Sequence, residues 1–509
     1  MNDLEQRIAN LSPEKRRELE AQLLKRRVQQ QEGVTRIQRD GTGPLQLSFG
    51  QLRLWFLDQL EPGSSAYNIP LVLRLTGALD VVALEGALSD IVARHEALRT
   101  KFASEDGEPV QVVVPAGPVA LSPGQGGPAD VDRDRVADLA REEARRPFDL
   151  TEAPPVRFKL LRLSQQEHWL VVTLHHIVAD GWSLSVLQEE LAAAYVARRE
   201  GQESPAGELP VQYPDYAHWQ RERADSDSTR KQLDYWRSRL ADAPTLSLPT
   251  DRPRPEMQSY RGAMLHHVLP GELVEDLKAL GRSHQATLYM VLLGALNVLF
   301  HRYSGQRDIC IGSPIAGRSR QEFEGLIGMF VNNLVLRTDL SGDPTFAELL
   351  SRVRTTALEA FDHQDVPFEM LVEEIQPDRD LASSPLFQAM LVLQNQPAPP
   401  SQMGELEMER AFVDIGTTHL DLTFYLTEQA TGLEVAVEYS TDLFDPSTID
   451  RMVQQFATLL KGVVAAPKTK TSKLPLLPAE ERERVLIEWN RTDQDYPNEP
   501  VQDLVASQA

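Results

Sequence analysis

Cysteine occurs once in the 509 residues, at Cys310. A single thiol excludes a disulfide framework and a cysteine-based zinc site. Long apolar runs are missing as well: none approaches the ~20 residues that span a bilayer. The N-terminal stretch MNDLEQRIANLSPEKRR holds no apolar segment of the kind a secretory signal carries. Positive charge is scarce, with 52 Lys and Arg against 75 Asp and Glu and a formal charge of −23. Phosphate backbones are gripped by cationic surfaces, so nucleic-acid binding is excluded as the main business of the chain. The net value still hides local cationic patches at 15–17 and 25–27, which suit an acidic protein partner. The rest of the composition, 41% hydrophobic and 25% charged, excludes wholesale disorder and collagen-like structure. The expectation is a cytoplasmic protein with no membrane and no nucleic-acid partner, long enough for two or three domains.

Residues 1–27 predict two short helices. Leu4, Ile8 and Leu11 fall at helical spacing, and Ser12-Pro13 offers an N-cap followed by the favoured first helical residue. This segment reads as a solvated leader or as a docking helix for a partner. Residues 28–44 (VQQQEGVTRIQRDGTGP) are polar and read as a linker. From Leu45 onward the pattern is mixed α/β. LVLRLTG (71–77) alternates as a half-buried strand, and VVALEGALSDIVARH (81–95) carries helical apolar spacing. Val110–Val114, Val156–Leu163 and Trp169–Leu174 predict further strands. A helix is predicted from Ser185, opened by a Ser185-x-x-Gln188 capping box. A second unit starts after about residue 222. It has helices over 272–280, 287–303, 346–360 and from Asp445-Pro446 to Leu460, with strands over 308–312, 386–394, 419–427 and 433–439. The domain reading is therefore a leader (1–44), a first lobe (45–222), a second lobe of similar make-up (223–465) and a linker-like tail (466–509).

Pattern separates the 11 histidines. His175-His176 close an apolar strand and run on as Ile177-Val178-Ala179-Asp180-Gly181-Trp182-Ser183, an HHxxxDG between a strand and a helix. A strand end projects its last side chains into a crevice, where α/β folds place ligands. Histidine exchanges a proton near neutral pH. Asp180 can orient an imidazole, or pair with an arginine and fix the turn. Gly181 lets the backbone approach a substrate closely. His266-His267 also end an apolar run (AMLHHVLP), but no Asp-Gly follows, so that pair reads as structural or solvent-facing.

HHIVADGWS resembles the core motif of condensation domains from nonribosomal peptide synthetases, in the wider family that includes chloramphenicol acetyltransferase. Other motifs of that family follow in order. LSFGQLRLWFLDQLEPGSSAYNIP (47–70), RHEALRTKF (94–102), YPDYAHW (213–219), IGMFVNNLVLR (327–337), HQDVPFE (363–369) and RDLASSPL (379–386) are each similar to one, with Ala382 and Ser384 as mild departures. The resemblance covers about 45–465. The tail LLPAEERERVLIEWNRTDQDYP is similar to the linker that leads into an adenylation domain, so a piece of a larger synthetase is expected.

The resemblance implies an α/β fold of two chloramphenicol-acetyltransferase-like lobes, a V-shaped pseudo-dimer with a central tunnel. It implies an acyltransferase that joins an upstream acyl or peptidyl thioester to the amine of a carrier-bound aminoacyl acceptor. Phosphopantetheine arms of upstream and downstream peptidyl carrier proteins, or an acyl-CoA, would deliver the substrates. No carrier-type Gly-x-x-Ser-Leu motif is present, so no covalently bound cofactor is expected, and neither is a metal. A downstream adenylation domain is the further expected partner, and a monomer the expected state. The subtype looks most like one joining an L-donor to an L-acceptor. The alternatives are a starter domain that N-acylates the first amino acid from a fatty acyl-CoA, an epimerisation domain, and a non-catalytic recruitment domain. A heterocyclisation domain, which carries Asp in place of His175-His176, is discarded.

Roles carried over by the resemblance are specific. His176 contacts the acceptor amine, as general base or as a positioning group. His175 packs beneath it. Asp180 pairs with an arginine, with Arg337 as the candidate. The Gly181 N–H faces the developing oxyanion. Trp182 and Ser183 line the turn and start the helix. Gln51 and Arg53 face the tunnel, with Trp55 packed. Asn332 and Asn333 either tie down a crossing segment or face the tunnel. Arg94, Arg99 and Phe102 stabilise the first lobe, Tyr213, Tyr216 and Trp219 pack between lobes, and His363-Gln364-Asp365 form a structural hinge.

Overall fold

The structure is a computed structural model describing residues 34, 36–37, 45–121, 133–375, 384–394, 399–493 and 500–509. The leader helices expected over 1–27, most of the linker that follows, and 379–383 of RDLASSPL lie outside these residues.

The first lobe runs β1 (Leu45–Gln46), α1 (Phe49–Leu60), β2 (Asn68–Thr76), α2 (Val81–Arg94), β3 (Thr100–Glu105), β4 (Glu108–Val113), α3 (Arg133–Ala144), β5 (Val156–Arg162), β6 (Glu167–His175), α4 (Gly181–Arg199) and α5 (Tyr213–Ala224). Periodicity explains α2: Ala83, Leu84, Ala87, Leu88, Ile91 and Val92 form one buried stripe, and the Asp80 carboxylate caps its start by accepting the Ala83 N–H. The second lobe runs α6 (Asp227–Leu240), β7 (Gly262–Pro270), α7 (Gly271–Ser283), α8 (Leu288–Ser304), β8 (Asp308–Ile315), β9 (Asn332–Asp339), α9 (Phe346–Asp362), α10 (Phe368–Ile375), β10 (Ala389–Gln394), β11 (Gln402–Met403), β12 (Leu406–Ala411), β13 (Leu422–Gln429), β14 (Gly432–Ser440) and α11 (Pro446–Ala465). Helix α8, apolar on most faces, is buried continuously from Met290 to Phe300. No single helix among the described residues is long and apolar enough to cross a membrane.

Among the described residues the strands form three sheets, ordered β1-β4-β3, β11-β12-β2-β6-β5 and β7-β14-β13-β10-β8-β9. In the last, β10 runs parallel to both β13 and β8. One segment departs from the expected division at residue 222. Gln402–Ala411 leaves the second lobe and pairs β12 along β2, with Met408 opposite Leu75. Alternation decides the crossing: Met403, Leu406 and Met408 enter the core of the first lobe while Glu407 and Glu409 face water. A further apolar cluster joins the lobes, packing Trp55, Ile177 and Val178 with Phe323, Met329 and Phe330.

Candidate active site between the two lobes

Strand β6 (EHWLVVTLH) is buried from His168 to its end, flanked by β2 and β5. It delivers His175 and His176 to the cleft. Backbone pairing continues one residue past the strand, where the His176 N–H donates to the Tyr67 carbonyl at 2.8 Å. The chain then turns, and the Val178 N–H returns to the His175 carbonyl at 3.1 Å. The two rings end in different surroundings. His175 is 3% exposed, and its Nδ1 accepts the Ile177 N–H at 3.1 Å. Tyr67 and the edge of Phe148 flank it. Burial, helped by the neighbouring His176, pushes its pKa down to about 3, so it is a neutral strut.

His176 is half-buried. Burial lowers its pKa, opposed by the Asp180 carboxylate and by nearby carbonyls, while the Arg53 charge adds to the lowering. Its Nδ1 is buried and meets no hydrogen-bond partner among the described residues. A neutral imidazole with an unused ring nitrogen can accept a hydrogen bond, or a proton, from an amine.

Asp180 pairs with Arg318, not with Arg337. Its Oδ1 lies 3.0 Å from Arg318 Nη2 and accepts the Ser183 N–H at 2.8 Å, while Oδ2 accepts the Phe330 N–H at 3.0 Å. Both side chains of the pair are nearly inaccessible, at 2% and 1% exposure. Arg318 also donates to the Phe323 carbonyl and lies 4.0 Å over the Phe330 ring. Arg337 instead faces the neighbouring strand: it grips Asp308 with Nη2 at 2.7 Å and donates to the Arg239 and Ala241 carbonyls. There it lines an open pocket of about 590 Å³ with Tyr235, Arg239 and Glu359, which contains no histidine. The helix predicted from Ser185 begins a turn earlier, at Gly181, because Asp180 and Ser183 form the capping box. Gly181 is exposed, and its N–H belongs to the first helical turn, which no intrahelical carbonyl can satisfy. Ser183 accepts the Gly328 N–H at 3.1 Å, and Trp182 Nε1 donates to the Glu324 carbonyl at 2.9 Å. The HHxxxDG turn is therefore stitched firmly to the second lobe.

A family model described as "Condensation domain" matches residues 42–486. The chain belongs to the condensation-domain family. It is 48% identical over 455 residues to a linear gramicidin synthase protein of Brevibacillus parabrevis, covering 88% of this chain and 6% of that protein. The chain thus spans a small fraction of the length of the curated relatives it matches. Among solved structures it resembles the X-domain from teicoplanin biosynthesis, at 33% identity and TM-score 0.81, over 88% of this chain and 100% of that one. It shares its fold with the first condensation domain of the calcium-dependent antibiotic synthetase, at 21% identity and TM-score 0.70, over 86% of this chain and 100% of that one. The two lobes carry the mixed α/β, acetyltransferase-like fold of these structures.

The remaining expected site residues divide sharply in this condensation domain. Gln51 does not face a tunnel. It is 1% exposed and donates to the Gln111 side chain and the Ile177 carbonyl, both at 3.2 Å, supporting the histidine turn from beneath. Arg53 is partly exposed, lies 3.8 Å from Glu369, and sits 5.7 Å from the centre of the Phe368 ring, so it bridges α1 and α10. Asn332 is a tie: its Nδ2 donates to the Gln364 and Val366 carbonyls and its Oδ1 accepts the Phe368 N–H. Asn333 pairs opposite Pro314 in the same sheet. Tyr213 and Tyr216 pack on Phe330 of the second lobe, and the Tyr213 hydroxyl donates to the Met329 carbonyl at 2.6 Å.

The condensation domain also holds residues that sequence reasoning missed. His419 stacks on Tyr67, with ring centres 4.4 Å apart, and meets Tyr260 edge-on at 5.8 Å. Tyr67, Tyr260 and His175 line a cavity of about 120 Å³ with Leu57, Leu60 and Met257. Tyr67 lies inside SSAYNIP of the opening motif, so its place was visible although its role was not. His419 lies in TTHLDLTF, outside every family motif given above, and only its approach across the cleft reveals it.

Proposed function

We propose that this condensation domain forms an amide bond between an acyl or peptidyl thioester donor and the amine of an aminoacyl thioester acceptor. The observation that carries the reading is His176, a neutral, half-buried imidazole with an unused ring nitrogen at the mouth of β6. The amine nitrogen attacks the thioester carbonyl, the C–S bond breaks, and the thiol leaves with the proton that the amine has lost. An α-amino group has a pKa of about 7.7–8.0, so much of it is protonated at neutral pH. His176 removes the surplus proton or holds the free amine on the carbonyl. Alignment alone lowers such a barrier by several kcal/mol. The Gly181 N–H, at the positive end of α4, faces the charge that develops on the carbonyl oxygen. Asp180 acts through position, because its oxygens are committed to Arg318, Ser183 and Phe330.

Both substrates arrive on phosphopantetheine arms of carrier proteins, and an adenylation domain supplies the acceptor amino acid. The subtype is the one joining an L-donor to an L-acceptor. Incubating the protein with loaded donor and acceptor carriers, and identifying the product by mass spectrometry, tests the reading. His176→Ala should lower amide formation by about 100-fold or more; wild-type rates in that variant overturn it. Faster transfer from an acyl-CoA than from a carrier-bound donor replaces it with the starter reaction. No turnover with any pair leaves recruitment of partners as the function.

A further inference from the structure

We propose that His419 is a positioning residue that accepts one N–H of the acceptor amine while His176 takes the other. The inference rests on the amide-forming reading above. A free primary amine has two N–H bonds and one lone pair. Holding both N–H bonds on fixed acceptors aims the lone pair at the thioester carbonyl and leaves no free rotation about the C–N bond, which is the geometry that proximity effects require.

His176 and His419 meet that requirement from opposite lobes. They share Tyr67: its carbonyl holds the His176 backbone, and its ring is stacked on His419. In each ring Nδ1 is buried and has no hydrogen-bond partner among the described residues. A buried polar atom left unpaired costs about 1–3 kcal/mol, so two of them on residues that both contact Tyr67 point to a ligand that completes them. No donor meets the His419 Nδ1 among the described residues, so with its proton on Nε2 the ring offers Nδ1 as a pure acceptor. An acceptor suits an amine and does not suit an oxyanion. Burial above all, with His176 (whenever it is protonated) and the Arg53 charge adding to it, pushes the His419 pKa down to about 3, so it keeps this role and does not compete for the proton.

Three variants separate positioning from structural support. His419→Phe keeps the stack on Tyr67 and removes the acceptor; His419→Asn restores an oxygen acceptor near the place of Nδ1. Amide formation is measured with an acetyl-aminoacyl carrier as donor and an aminoacyl carrier as acceptor, varying each separately, with thermal unfolding as the control for folding. His419→Phe should raise the acceptor KM or lower kcat by about tenfold with the donor KM unchanged, and His419→Asn should recover most of that loss. The double variant His176→Ala/His419→Phe should lose less than the product of the single losses, since both groups hold one amine. Equal kinetics in His419→Phe, an equal rise in both KM values, or no recovery in His419→Asn would overturn the inference. Absence of amide product with the unaltered protein overturns the functional reading instead, so the two failures are distinguishable. Ring-nitrogen NMR gives a further arm: His419 should carry its proton on Nε2, and the opposite tautomer overturns the assignment.

Discussion

His175-His176 and His266-His267 are the same dipeptide in the same kind of setting, each within an apolar stretch that becomes a strand. The first pair closes a central strand and the chain turns immediately into the N-cap of α4. The second sits inside β7, at the edge of its sheet, where successive residues face opposite sides. His266 is exposed, with Nδ1 2.9 Å from Glu434, and the strand continues to Pro270. The pair itself is therefore not the site. What sets the first pair apart is the turn that follows, which buries His175 as a strut on the wall of a cavity and leaves His176 half-buried with an unused nitrogen. Asp180 matters because it caps the helix and reaches across the cleft to Arg318.

Substitution of the two pairs should separate them most clearly in turnover. His176→Ala is expected to lower amide formation between about 100- and 10,000-fold, while His266→Ala and His267→Ala leave it unchanged. A comparable loss in the second pair would erase the distinction. The next largest difference lies in the supports. Arg318→Ala leaves the Asp180 carboxylate buried without its counter-charge and should lower unfolding stability by about 3–5 kcal/mol. Arg337→Ala, whose partner Asp308 is 37% exposed, should lower it less. Urea titration of both variants checks the order.

Acidification gives a smaller contrast. The folded pKa of His175 lies near 3, below its ordinary 6.5. Its contribution to stability is complete above pH 6.5 and is lost as the pH falls toward 3, because the unfolded chain takes up the proton first. Between pH 7 and pH 5 this one group should account for about 2 kcal/mol, a slope that His175→Gln removes. The smallest expected effect belongs to the surface pair: His266→Ala should change stability by less than about 1 kcal/mol, since its contact with Glu434 is solvated.

Much of this contrast was legible in the chain. The absence of Asp-Gly after His267 marks that pair as structural or solvent-facing, and His266 is exposed; the strand leading to His175 and the helix after Asp180 are also legible in the pattern. The helix start was misplaced by a turn because Ser185-x-x-Gln188 looks as good a cap as Asp180-x-x-Ser183, and only the latter forms both reciprocal bonds. The strand at Leu406–Ala411 was overlooked because LEMERA is short and charged, and its alternation has meaning only once β2 lies beside it. Gln51 is assigned to the tunnel by the resemblance alone; here its amide donates to the Ile177 carbonyl and the Gln111 side chain.

Residues close together along the chain share a strand, a turn or a helix cap, so their spacing alone specified the HHxxxDG turn, the order of elements and the family. Partner choice followed a different rule. Asp180 takes Arg318, 138 positions away, rather than Arg337, and His419 arrives beside Tyr67 from the opposite lobe. These outcomes depend on which buried groups the packed lobes bring within about 3 Å, and no local periodicity records that distance.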